Sequence, residues 1–279
     1  MKHILIAGAG SYIGSALEHR LDPKEYRVSV LDVQDPSWEQ ADFSGFDTVV
    51  HIAAIVHQKE RSDMEELYFR VNRDLALRCA RKAKAQGVGQ FLFMSSMSVY
   101  GMDTGVITPD TVPAPVTFYG KSKLAAENLL RCEADDRFRV CILRPPMVYG
   151  PGCKGNFQTV VQLVKKLPVF PLVRNRRSMI HVDNLVEFIK LCIDRELEGL
   201  YFPQNREYVQ TSHMAHCIAQ KLGKRIFFSR LLGLGVLCIR PFVGTAKKAF
   251  GTLIYENTER HGYSYCVREQ DSSIFHAVK

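Results

Sequence analysis

Residues 4–21 read ILIAGAGSYIGSALEHRL: a short apolar run, a glycine-rich turn, then a segment whose apolar positions recur at helical spacing. Strand, glycine loop and helix in that order make a pyrophosphate cradle, because glycines let the backbone approach the phosphates and the helix N-terminus offers free N–H groups and a favourable dipole. Gly8, Gly10 and Gly14 supply the turn, with Gly-x-Gly-x-x-x-Gly spacing, one residue longer than the usual dinucleotide fingerprint. The next apolar run, VSVLDV, places Asp32 eighteen residues beyond Gly14. A carboxylate there accepts hydrogen bonds from an adenosine ribose and repels a 2′-phosphate, which favours NAD over NADP; the other reading is a turn aspartate at a strand end. TVVHIAA then ends in Ala53 and Ala54, small residues over which a flat cofactor can lie.

Working outward, apolar runs rich in β-branched residues alternate with helix-period segments through the first 150 or so residues, the pattern of a doubly wound parallel sheet. The strands are expected at His3–Ala7, Arg27–Leu31, Thr48–Ile52, Gln90–Met94 and Arg139–Leu143, with a long helix over Met64–Gln86 and another beginning near Phe118. Only fourteen residues separate Asp32 from Asp47, too few for the usual helix and strand. Later come a helix in NFQTVVQLVKKL, a proline-rich connection PVFPLV, and MIHVDNLVEFIKLCI with Asp183 and Asn184 as candidate N-caps. The fold class is therefore α/β: a Rossmann domain over 1–154, and a smaller C-terminal substrate-binding lobe over 155–279, packed on the first with some strand exchange. Residues 224–279 show one strand, an apolar helix with a basic end, and a tail.

The 279 residues are 46% hydrophobic and 24% charged, a globular composition that excludes disorder. The longest late apolar stretch, Leu231–Ile239, has less than half the roughly 20 residues a bilayer span needs, so no membrane insertion is expected. No basic leader precedes an apolar core, which points to the cytoplasm. The eight cysteines form no Cys-x-x-Cys pair and read as reduced thiols; His213 and His216 lack a nearby carboxylate, and no metal is assigned. The net charge of +8 is dispersed without interleaved aromatics, which argues against nucleic acid. Two basic clusters stand out: RNRR at 174–177 fits a phosphate-bearing ligand, and Lys247/Lys248 after the apolar stretch fits a partner or membrane surface.

YGKSK at 119–123 puts a phenol and an ammonium one helical turn apart on the same face, with no acidic partner beside the lysine. A cation there favours the phenolate, which makes a base; the same spacing also occurs on solvated helix faces. GAGSYIG, HIAA, FMSSMSVYG, YGKSK, LRPPMVYGPG and RSMIHVDNLVEF occur in that order, and the series resembles the extended short-chain dehydrogenase/reductases of the NAD-dependent epimerase/dehydratase group. Within the group the sequence is similar to bacterial UDP-hexose 4-epimerases and UDP-4-keto-sugar reductases.

The resemblance implies that Tyr119 is the catalytic acid or base, that Lys123 lowers its pKa and holds the nicotinamide ribose, and that Ser96 hydrogen-bonds the reacting sugar oxygen. Ser95 and Ser98 compete with Ser96, which is chosen because it stands four before Tyr100. To the cofactor it assigns Gly8, Gly10, Ser11, Tyr12, Ile13, Gly14, Asp32, Ala53, Ala54 and Pro145, besides Tyr119 and Lys123. To the UDP-sugar it assigns Ser96, Met97, Asn156 and Arg177, with Phe170 either over the uracil or in lobe packing. Related 4,6-dehydratases carry an Asp-Glu pair where this chain has Met97 and Ser98, so elimination is unsupported. Ser11 replaces a family glycine, Met147 a sugar-contacting asparagine, and Arg240, Arg260 and Arg268 compete for the diphosphate. The implied function is an NAD-dependent UDP-hexose 4-epimerase; the alternatives are a UDP-4-keto-6-deoxy-hexosamine reductase and a non-catalytic dinucleotide-binding regulator. Relatives pair as homodimers through the long helix and the tyrosine-bearing helix.

Overall fold

The computed structural model describes residues 1–56, 60–239, 243–256 and 263–278. In chain order the elements are β1 (Lys2–Ala7), α1 (Tyr12–Arg20), β2 (Tyr26–Leu31), β3 (Thr48–His51), α2 (Glu65–Phe69), α3 (Leu75–Ala85), β4 (Gln90–Met94), β5 (Gly105–Ile107), α4 (Phe118–Arg131) and β6 (Arg139–Leu143). They continue with β7 (Met147–Tyr149), α5 (Asn156–Lys166), β8 (Val169–Pro171), β9 (Met179–His181), α6 (Val182–Asp194), β10 (Gly199–Tyr201), α7 (Thr211–Lys221), β11 (Phe227–Ser229), α8 (Arg230–Ile239), α9 (Gly244–Phe250), β12 (Leu253–Tyr255) and α10 (Gln270–Ala277). Two compact units result: one of Met1–Gly101, Pro113–Pro145 and Leu185–Pro203, the other of Met102–Val112, Pro146–Asn184 and Gln204–Lys279.

The first unit is a six-stranded sheet in the order β10-β6-β4-β3-β1-β2, every neighbour parallel. β3 and β4 are buried along their whole length, which is why Val49–Val50 and Phe91–Met94 within them read as continuous apolar runs instead of alternating ones. The five strands expected from sequence are present, and β10 adds a sixth of three residues against β6. One face is covered by Leu75, Ala76, Cys79, Ala80 and Ala83 of α3 and Ala126 and Leu130 of α4, packed on Val49, Phe91, Phe93, Val140 and Ile142. Between Asp32 and β3 the chain makes only a 3₁₀ turn, Pro36–Gln40, whose Trp38 joins this core.

The long helix expected over Met64–Gln86 is interrupted: Arg70–Asp74 is a π-helical turn between α2 and α3. Asn72 in that turn is fully buried. Its Oδ1 accepts from Ile55 N (2.8 Å), and its Nδ2 donates to Ile55 O (3.2 Å) and to Ser122 Oγ of α4 (3.1 Å). The widened turn thus delivers a polar side chain that ties the segment after β3 to α4.

The second unit holds three parallel strand pairs, β5–β12, β7–β9 and β8–β11, and the helices α5, α7 and α10. Asp183 and Asn184 are not caps. α6 already begins at Val182, because β9 runs directly into it, and the Asp183 N–H donates to His181 Nδ1 (3.1 Å). The Asn184 amide instead bonds Asn205 Oδ1 (2.9 Å) and the Arg268 carbonyl (3.1 Å). Among the described residues no helix is long and apolar enough to cross a membrane. All eight cysteines are free thiols, five of them buried.

Replacing Asn72 with Ala leaves the Ile55 peptide groups without their partner, and urea unfolding is expected to show a loss of about 1–3 kcal/mol; an unchanged midpoint contradicts the tie.

Candidate active site

α4 begins where two side chains satisfy three of its free N-terminal N–H groups. Thr117 Oγ1 accepts from Gly120 N (3.0 Å), and the Glu60 carboxylate accepts from Phe118 N and Tyr119 N (3.0 Å each). Glu60 lies in the segment after β3, so its carboxylate is drawn by the positive end of the α4 dipole and holds the first turn in place. Gly120 then permits the close approach that the site needs: a Cβ there would lie 2.6 Å from the Ser98 carbonyl oxygen. Tyr119 therefore stands beside the Ser96–Tyr100 turn, where the Ser96 hydroxyl favours its ionised form.

Ser96 caps that 3₁₀ turn, accepting from Ser98 N at 3.1 Å. Ser95 faces the other way and donates to the buried Glu127 carboxylate. Ser98 Oγ lies 3.1 Å from Ser96 Oγ on the exposed side. Of the three serines, Ser96 is the one that acts on the ionisation of the phenol. Met97 is buried, and its N–H donates to the Pro145 carbonyl (2.9 Å).

Burial pushes the Tyr119 phenol up to about 12, while the Ser96 hydrogen bond pulls the other way. The expected effect of Lys123 on that phenol is not the interaction the ammonium makes in this structure. Lys123 is fully buried; Nζ donates to the Met94 carbonyl (2.7 Å) and sits 4.5 Å from the Phe93 ring centroid. Burial brings its pKa down to about 7, partly offset by Glu127, the acidic group one turn further along α4. His51, at the end of β3, stacks on Phe91 and Phe93 (5.9 and 6.1 Å) with both ring nitrogens unpartnered and its pKa brought down to about 3 by burial and then by Lys123.

Glu127 anchors the frame. Both its oxygens face Arg144 at the end of β6 (Nε to Oε1 3.0 Å, Nη2 to Oε2 2.6 Å), and Arg144 Nη1 donates to Tyr100 OH (2.8 Å). Both side chains of the pair are essentially excluded from solvent.

The glycine loop fits a dinucleotide. A Cβ on Gly8 would come within 2.8 Å of Ala53 N, so the loop lies flat on the end of β3, with Ala9 and Gly10 exposed above it. Ser11, the departure from the family glycine, is the N-cap of α1: its Oγ accepts from Gly14 N (3.2 Å) and donates to Gly8 O (2.7 Å). Tyr12 and Ile13 form the first turn of that helix, and Ala54 is half-buried beside Ala53. Asp32 is exposed at the end of β2 and accepts from Gln34 N (2.9 Å).

The residues expected to bind the sugar nucleotide from the second unit differ among themselves. Asn156 is exposed as the first residue of α5. Arg177 Nη1 donates to the Gly251 carbonyl (3.0 Å) and feels the charge of Asp103. Of the two readings of Phe170, the nucleotide-facing one is corrected in favour of lobe packing: the ring is fully buried against Phe228 and Phe250 (6.1 and 5.9 Å). Arg268 is engaged by Asp183, whereas Arg240 and Arg260 lie outside the described residues. His213 does have a carboxylate, Asp271 Oδ1 at 2.7 Å, with Cys217 Sγ 3.5 Å from the same ring nitrogen. The 580 Å³ cavity beside it carries Glu207, Glu269 and Asp271, a lining that repels a diphosphate.

Fold and loop together define a nucleotide-dependent enzyme of the Rossmann type. The chain belongs to the NAD dependent epimerase/dehydratase family, whose profile matches residues 4–201, and NAD is its cofactor. It is 32% identical over 251 residues to UDP-glucose 4-epimerase of Vibrio cholerae, covering 80% of this chain and 76% of that protein. It is 27% identical over 247 residues to N-acetyl-alpha-D-glucosaminyl-diphospho-ditrans,octacis-undecaprenol 4-epimerase of Escherichia coli O157:H7, covering 80% and 73%. The solved structure of UDP-glucuronic acid 4-epimerase from Bacillus cereus in complex with NAD shares the fold, with a TM-score of 0.74, 17% identity and coverage of 99% and 97%.

Arg144→Met strands the Glu127 carboxylate in the core and is expected to cost about 3–5 kcal/mol in urea unfolding, most of it recovered when Glu127→Met is added. His51 sets an acid limit on stability. Its unfolded form takes a proton below about pH 6.5 and its folded form only near 3, so stability falls as pH drops through that window. His51→Phe should therefore shrink the difference in Tm between pH 7 and pH 4.5; an unchanged difference refutes the assignment.

Proposed function

We propose that this enzyme inverts C4 of a UDP-hexose by oxidising that carbon and reducing it again from the opposite face. The observation that carries the reading is the placing of Tyr119 beside the Ser96–Tyr100 turn, which Gly120 allows because a Cβ there would lie 2.6 Å from the Ser98 carbonyl oxygen, with Met97 and Ser98 standing in place of an acid–base pair. When bound, NAD supplies the two-electron oxidation and re-reduction at the sugar carbon. Gly8, Gly10 and the first turn of α1 would hold its pyrophosphate, Asp32 its adenosine ribose, and Lys123 its nicotinamide ribose.

Tyr119 takes the proton from the C4 hydroxyl and later returns it. A phenol at about 12 is a donor at neutrality; it becomes an acceptor when positive charge, from Lys123 and from an oxidised nicotinamide, is brought beside it. Ser96 keeps the phenol oriented and offers the sugar oxygen a second hydrogen bond. Met97 is apolar and buried, so nothing at that position removes a proton from C5. Asn156 and Arg177 are proposed as diphosphate contacts, and a homodimer through α2, α3 and α4 as the working assembly.

A second reading changes only the carrier of the sugar. The relative from Escherichia coli is named for a sugar diphosphate borne on undecaprenol, and the exposed apolar surface of α8 favours such a carrier over uridine.

With UDP-glucose or UDP-N-acetylglucosamine the expected result is formation of the C4 epimer without net change in nicotinamide absorbance. Stoichiometric consumption of reduced cofactor with a 4-keto sugar would show a reductase instead. Tyr119→Phe should lower turnover by about 10²–10⁴-fold while leaving Tm within a few degrees; retained turnover ends the mechanism for either reaction.

A further inference from the structure

We infer that α8 is a membrane-docking element, lying flat on an anionic lipid surface with its leucines in the headgroup boundary. From Leu231 to Ile239 the helix contains no polar or charged side chain apart from Cys238. A helix apolar on every face belongs in a core. Here Leu231 is 81% exposed, Leu234 59%, Ile239 50% and Leu232 49%.

The reason is how the helix is attached. Its one buried residue is Gly233, where a Cβ would meet the Leu172 carbonyl oxygen at 2.2 Å, so α8 rests on the chain just after β8 through its thinnest point. Leu231, Leu232, Leu234 and Ile239 spread over an arc of about 160° opposite that glycine. Phe227, 72% exposed at the start of β11, adds an aromatic ring from the same segment.

Charge selects the occupant. Between Tyr208 and Tyr255 the sequence holds seven lysines and arginines and no aspartate or glutamate. Arg225, Arg230 and Lys248 among them are exposed. A second copy of the chain meeting this face would bring like charges together, whereas anionic headgroups neutralise them while the acyl boundary takes the leucines. Ten helical residues span about 15 Å, half the hydrocarbon thickness, so the helix lies in the interface and does not cross it. The inference does not depend on the C4 chemistry proposed above, although it uses the same α8 surface that favours an undecaprenol-borne sugar in the second reading.

The test is flotation of the full chain, without substrate, on vesicles of phosphatidylcholine with phosphatidylglycerol and on phosphatidylcholine alone. The protein should float with the anionic vesicles and be released by high salt. Leu231→Ser with Leu234→Ser should lower partitioning about tenfold or more, and Lys247→Ala with Lys248→Ala should weaken it in proportion to lipid charge. Both double variants should keep Tm and the turnover of a water-soluble sugar nucleotide. The proposal is overturned if the wild-type chain floats with neither vesicle, if the leucine variant floats unchanged, or if that variant lowers the mass measured by light scattering, which would show a second copy covering the helix.

Discussion

The buried pairing of Glu127 with Arg144 is the constraint on which the active-site geometry rests. Arg144 ends β6, Glu127 lies on α4, Ser95 follows β4, and Tyr100 closes the turn that begins at Ser96. One ion pair therefore clamps the three segments that carry Ser96, Tyr119, Lys123 and Pro145. Two charges removed from water repay their desolvation only when every lone pair and donor is used, and here a hydroxyl and a phenol complete the set. The arrangement fixes orientation more than it adds stability, and orientation is what a proton donor and its serine partner require.

Electrostatics inside that frame is set by exclusion of water. Tyr119 and Lys123 are both displaced toward their neutral forms, the phenol upward and the ammonium downward. His51 shares the same dry region and stays neutral for the same reason. Around pH 7 the phenol and the imidazole are thus neutral while Lys123 is about half-protonated, and a charge brought next to the buried Lys123 and His51 has a large effect because little solvent screens it.

Much of the first unit was legible because its signals are local. Strands buried on both faces read as continuous apolar runs, and Gly8, Gly10 and Gly14 lie in a loop that joins adjacent elements. YGKSK put Tyr119 and Lys123 on one turn. What stayed hidden depends on distant residues. β10 has three residues, too few for a pattern. The π turn has no sequence signature, and Asn72 sits among Arg70, Arg73 and Asp74, where a polar residue reads as solvent-facing, so it was passed over. Glu60 reaches the start of α4 from 58 residues away, and Asp271 reaches His213 across the same separation. Phe170 stayed open between the uracil and lobe packing, because Phe228 and Phe250, which bury it, follow far along the chain.

The interleaving of the two units bears on how the polypeptide is made. Strand β6 is synthesised well before β10, its neighbour on the outer side, and the Arg144 N–H finds its acceptor, the Tyr201 carbonyl, only after the intervening segment has left the ribosome. Until then the nascent sheet carries an unpaired parallel edge, an invitation to intermolecular strand addition. A fragment ending near residue 154 would keep that edge permanently, so the nucleotide-binding half is better regarded as unfinished than as separable.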